Sequence, residues 1–168
     1  MRRITSLVLA AALLTACLCA CVSGPEGGQD KQVDLAVFAQ AILEGYGFPN
    51  LDRFDPADEG LSSVVLENNY PGLKDMDLAQ TEVYLAPISF TGEELVLVQS
   101  KNADDAAMVK DIFQGRIDAK TTDGPNNYPE ELKLWQRSAR VVSNGNYVML
   151  VNHEDSEAIV SEFNELFK

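Results

Sequence analysis

The sequence predicts an α+β fold: a four-stranded, mostly antiparallel sheet built from two hairpin–helix units (ββα-ββα), with the helices on one face and a helical segment in front. Three observations predict it. β-prone runs at Glu82–Phe90, Glu94–Ser100, Ala139–Ser143 and Tyr147–Asn152 come in pairs across turn residues. Each pair leads into a stretch whose apolar residues recur at helical spacing. The two units also end alike, Leu97-Val98 leading to Val109 and Phe113 as Leu150-Val151 leads to Val160 and Phe163.

The elements follow in chain order. Met1-Arg2-Arg3 is a short positive segment, and Ile4 to Leu14 is an uncharged apolar run too short to span about 30 Å of hydrocarbon. Leu14-Thr15-Ala16-Cys17 then reads as a lipobox, in which the cysteine takes a diacylglyceryl group and becomes the mature N-terminus. Leu18-Cys19-Ala20-Cys21 overlaps it, so Cys21 is the alternative; Cys17 has the better context, because its apolar run already has normal length. The expected layout is a signal peptide over 1–16 (alternatively 1–20), a lipidated N-terminus and tether over 17–32, and one α+β domain over 33–168. Val22 to Gln32 is glycine-rich and without periodicity, which suits a tether.

Asp34 is an N-cap for a helix that aligns Leu35, Phe38, Ala39, Ile42 and Leu43, ended by Gly45 and Gly47. An acidic loop, Pro49 to Gly60, precedes a short helix from Leu61 to Asn69. Thr91-Gly92-Glu93 joins the first two strands, and Pro87, which cannot donate to a ladder, places the first of them at an edge or a bulge. Asn102 caps a helix from Ala103 to Lys120 with Ala106, Val109, Phe113 and Ile117 inward. A short helix over Pro129–Gln136 presents Leu132 and Trp135. Asn144-Gly145 suits the positive-φ pair of a type I′ turn in the second hairpin. The last helix runs from Asp155 to Phe167, with Ile159, Val160, Phe163 and Leu166 inward and acidic residues at its N-terminus.

Charge and cysteine usage narrow the function. Loss of Arg2 and Arg3 with the signal leaves 11 basic residues against 26 acidic ones, a net charge of −15. Nucleic acid is therefore a poor partner, while a cationic ligand or basic partner remains open. Cys17, Cys19 and Cys21 are the only cysteines, so the folded part has no disulfide, thiolate metal site or cysteine nucleophile. His153 is the only histidine and reads as a junction residue; no nucleophile, base and orienting group assemble in the pattern. Asp52, Asp55, Asp58 and Glu59 are weak calcium candidates, because their spacing departs from the EF-hand loop and suits helix capping. Tyr128, Trp135 and Tyr147 are candidates for a ligand or partner surface, with core packing as the competing role.

The lipobox, the tether, Asp34-Leu35, Glu94-Leu95-Val96-Leu97-Val98, Asp105-Ala106-Ala107 with Val109, and Gly145-Asn146-Tyr147-Val148 together resemble small bacterial lipoproteins of the family domain of unknown function 4358, from about Asp34 to Phe167. The resemblance implies a lipid-anchored protein facing the cell wall, most often of bacteria with a single membrane, and supplies no catalytic residue or cofactor. The expected function is a non-catalytic binding or interaction module on the outer face of the cytoplasmic membrane. It would be held to the bilayer by a covalent diacylglyceryl group, with or without an N-acyl chain, and would meet a protein or small-molecule partner. A small-ligand or metal-binding lipoprotein serving a transporter or sensor is the alternative, and a cell-wall hydrolase the least favoured.

Overall fold

Asp34 starts the first helix as its position predicts: Oδ1 accepts from the backbone N–H groups of Ala36 at 3.0 Å and Val37 at 3.1 Å. The helix, α1, spans Leu35–Tyr46 and stops at Gly47, whose φ of +68° lies in the left-handed region. The computed structural model describes residues 32–49, 51–86, 92–122 and 128–168. The segments expected to be a signal peptide and, as far as Lys31, a tether, with Cys17, Cys19 and Cys21, and also Pro87 and Thr91 lie outside the described residues.

Ten elements follow one another: α1, β1 (Asp52–Arg53), α2 (Leu61–Asn69), β2 (Leu78–Leu85), β3 (Glu94–Ser100), α3 (Ala103–Thr121), α4 (Pro129–Ser138), β4 (Arg140–Asn144), β5 (Tyr147–Asn152) and α5 (Ser156–Glu165). Asn102 caps α3 as expected, its Oδ1 accepting from Asp105 N–H at 2.9 Å. The strands form one antiparallel sheet in the order β1-β2-β3-β5-β4.

The sheet thus has five strands where the sequence predicts four. Asp52 and Arg53 pair with Leu85 and Tyr84; a strand of two exposed residues carries no alternation to read. The helices also cover both faces rather than one. Val96 and Val98 of β3 join Val148 and Leu150 of β5 in a core with residues of α2, α3 and α4. Leu95 and Leu97 join Tyr147, Met149 and Val151 in a second core with α1 and α5. The physical reason is visible in the two central strands. From Leu95 to Val98 and from Tyr147 to Val151 every side chain is buried, and an unbroken apolar run means a strand covered on both sides. Each such side chain stabilises the fold by about 1.5–3 kcal/mol.

The ββα likeness of the two halves therefore does not extend to packing. Phe113 of α3 lies in one core and Phe163 of α5 in the other. The second hairpin also turns one residue later than predicted: Asn144 pairs with Tyr147, so Gly145, at φ +55°, and Asn146 form the loop. The Asn146 side chain is used elsewhere, donating to the Ser100 carbonyl at 2.6 Å.

Gln80 fastens the start of the domain to the sheet. Its Oε1 accepts from Leu35 N–H at 3.0 Å, and its Nε2 donates to the Val33 carbonyl at 2.8 Å and to Gln99 Oε1 at 2.6 Å. The Tyr147 hydroxyl accepts from Val33 N–H at 3.2 Å.

One charged cluster is buried in the α2/α3/α4 core. Glu94, at the head of β3, accepts two guanidinium bonds from Arg116 and the Tyr70 hydroxyl at 2.5 Å. The Arg116 guanidinium also lies over the rings of Tyr70 at 5.7 Å and Trp135 at 5.4 Å. Burial opposes the charge on Arg116, but the adjacent Glu94 carboxylate more than offsets it and holds the guanidinium protonated. Burial, reinforced by Glu94, raises the Tyr70 phenol well above its usual range. Replacing one partner strands the other's charge. Arg116→Met is therefore expected to lower stability by about 3–5 kcal/mol in urea unfolding followed by Trp135 fluorescence, and adding Glu94→Gln to it should recover part of that loss. A single variant as stable as the parent would show that the pair contributes little.

Candidate functional site

The strand alternation that builds the two cores sends Glu93 and Glu94 to opposite faces. Glu94 falls on the α3 face and finds Arg116. Glu93 falls on the α1/α5 face, where its Oε2 is buried without a hydrogen-bond partner among the described residues. The same alternation at the end of β5 sends Asn152 and His153 apart. β3 and β5 pair with Glu94 opposite Asn152, so one further step in this register sets Glu93 opposite His153 on one face.

A cleft of about 450 Å³ opens at this end of the sheet. Tyr46, Gly47 and Pro49, from the end of α1 onward, form one side; Glu130, Glu131, Leu134 and Arg137 of α4 form another; Glu93, His153 and Glu154 complete it. His153 is only 5% exposed. Its ring stacks on Phe48 with centroids 4.4 Å apart and meets the edge of Tyr46 at 6.2 Å. Asp155 N–H donates to His153 Nδ1 at 3.1 Å. The Asp155 carboxylate lies 3.9 Å from the same nitrogen; accepting the N–H leaves Nδ1 without a proton, which in a neutral ring puts the proton on Nε2.

The carboxylates around the cleft differ in what occupies them. Glu131 is buried and takes the Lys120 ammonium at 2.6 Å. Glu130 takes Lys133 at 2.8 Å, a hydrogen bond that lowers its pKa. Glu93 and Glu154 form no ion pair among the described residues, nor does the Arg137 guanidinium.

Gly92 makes this packing possible. Its φ is +79°, and a Cβ there would lie 2.8 Å from Glu131 Cγ and 3.3 Å from Trp135 Nε1. Its carbonyl accepts from Asn152 Nδ2 at 2.6 Å. Trp135 Nε1 and Asn152 Oδ1 are, with Glu93 Oε2, the buried side-chain polar atoms left unpartnered among the described residues. All three belong to residues at this end of the sheet.

The residues singled out from sequence sit elsewhere or apart. Trp135 is in the α2/α3/α4 core and Tyr147 in the α1/α5 core, with Tyr128 exposed at the start of α4, so the three form no common surface. Asp55 accepts from Ala57 N–H and from Arg53, and Asp58 from Gly60 N–H and Ser62; these bonds lower both carboxyl pKa values. Asp52 and Glu59 are exposed. Among the described residues no group of three or more His, Cys, Asp or Glu could hold a metal ion. No helix among them is long and apolar enough to cross a membrane. Glu93 and Arg137 carry no motif; only the sheet register brings Glu93 beside His153.

The chain matches a family model over residues 60–153, described as Domain of unknown function (DUF4358), and it belongs to that family. The matched span includes Glu93, Arg137 and His153. No curated protein and no solved structure matches it.

Gly92→Ala should destabilise the domain by about 1–3 kcal/mol, since it combines a strained positive φ with overpacking against Glu131. Thermal unfolding checks this, and an unchanged midpoint would mean that the chain clears α4 with room to spare.

Proposed function

We propose that this DUF4358 protein is a lipid-anchored, extracytoplasmic module that binds a partner or ligand without transforming it. One observation carries the non-catalytic part: the state of the chain's single histidine. A buried imidazole lining a cleft beside carboxylates is the arrangement in which a general base would be sought. A base of the hydrolase kind holds a proton on Nδ1, oriented by a carboxylate, and receives one at Nε2. Here Nδ1 accepts the Asp155 N–H at 3.1 Å, closer than the Asp155 carboxylate at 3.9 Å, so a neutral ring is a donor at Nε2. A donor beside the carboxylate of Glu93 recognises; it does not abstract a proton. This observation also favours small-ligand binding over metal binding, since the site offers an N–H where a metal would need a lone pair.

The anchoring part of the reading rests on the sequence. An apolar run of signal length ends at Cys17, and a lipid there would hold the domain at the outer face of the bilayer through a glycine-rich tether. The net charge of −15 left after cleavage opposes binding to nucleic acid.

Two measurements test the reading. Mass spectrometry of the mature N-terminal peptide should find the diacylglyceryl group on Cys17; lipid on Cys21 would move the cleavage site, and an unmodified peptide would remove the anchor. Nitrogen-15 NMR of the imidazole at alkaline pH should report the Nε2–H tautomer. A dominant Nδ1–H tautomer would return His153 to candidacy as a base.

A further inference from the structure

The cleft's chemistry goes further than its role in a binding module. Its groups are of two opposite kinds. Glu93 offers a carboxylate oxygen that is buried, with no partner among the described residues. A desolvated carboxylate oxygen in that state is unfavourable unless a donor reaches it. Glu154 adds a second carboxylate at the rim without an ion pair. Two donors line the same cleft. His153, 5% exposed, has Nδ1 filled and no hydrogen bond from Nε2 among the described residues. Arg137 brings a guanidinium from α4, also without an ion pair there.

We propose that this cleft binds a small zwitterion, its ammonium received by the Glu93 carboxylate and its carboxylate by the Nε2–H of His153 and the guanidinium of Arg137. The inference rests on the reading of the protein as a binding module and names the ligand class of that same site. Three features support it. Glu93 and His153 flank the last pair of the β3–β5 ladder, Glu94 with Asn152, and both line the cleft, so an acceptor and a donor are held there together. The His153 ring is fixed in orientation by the Phe48 stack and the Asp155 N–H, so its donor needs no ordering on binding. A cleft of about 450 Å³ lies in the range of small-molecule sites. A simple cation would satisfy Glu93 but leave His153 and Arg137 unused, and a simple anion the reverse. Two charged ends in one ligand use all of them.

The test is calorimetry on the folded full-length chain with alanine and alanyl-alanine as zwitterions, and ethylamine and propionate as the two half-ligands. At least one zwitterion is expected to bind saturably, with each half-ligand weaker by about tenfold or more, the loss expected when a hydrogen bond to a charged group is removed. Glu93→Gln, close to isosteric, and Arg137→Gln, on the exposed face of α4, should each weaken the zwitterion by a similar factor while leaving the melting temperature unchanged. Ethylamine binding as tightly as alanine would overturn the inference in favour of a plain cation site. No heat from either zwitterion at millimolar concentration would overturn it outright. The imidazole tautomer separates this failure from failure of the underlying reading. An Nε2–H ring with no zwitterion bound sinks only the ligand class, whereas an Nδ1–H ring sinks the non-catalytic reading of the site.

Discussion

Two central strands with no solvent-facing side govern this structure. Once Leu95–Val98 and Tyr147–Val151 are apolar without a break, neither β3 nor β5 can lie at a sheet edge, and neither face of the sheet can meet water. Five helices therefore divide between two faces, α2, α3 and α4 on one and α1 and α5 on the other. The outer strands follow from the same requirement. β2 and β4 must shield the backbone of the central pair, and β1 extends that shield by two residues.

The same strict alternation decides the fate of charged residues where the strands run out of the core. Glu93 and Glu94 are neighbours of identical chemistry, yet one is neutralised inside a core and the other opens on a cleft. Asn152 and His153 divide in the same way at the end of β5. No catalytic motif is needed to explain this gathering. Four polar residues lie where two antiparallel strands end together, and two of them face α1.

Much of this architecture is legible from residue patterns. Asp34 and Asn102 cap their helices, Gly47 ends α1, and the paired runs around Glu94–Ser100 and Tyr147–Asn152 are strands. The errors have specific causes. Reading the two hairpin–helix units as alike put their helices on one face, although unbroken Leu-Val-Leu-Val already implied cover on both. α4 presents Leu134 and Trp135 rather than Leu132, because its inner face must also carry Glu131 to Lys120. Arg116 joins Ile117 on the inner face of α3, since Glu94 waits opposite. The cleft itself is a product of register, and a register between strands about 60 residues apart leaves no mark in either strand alone.

The Gln80 clamp has a mechanical consequence. Val33 and Leu35, near the start of the described residues, are tied to the sheet at the end where β5 begins, while the cleft lies where β5 ends. The twelve residues of α1 span that separation, a rise of about 18 Å. A pull on Val33 would thus load Gln80 and Tyr147 before Gly47 or His153. Clamp and cleft therefore stand at opposite ends of both α1 and β5.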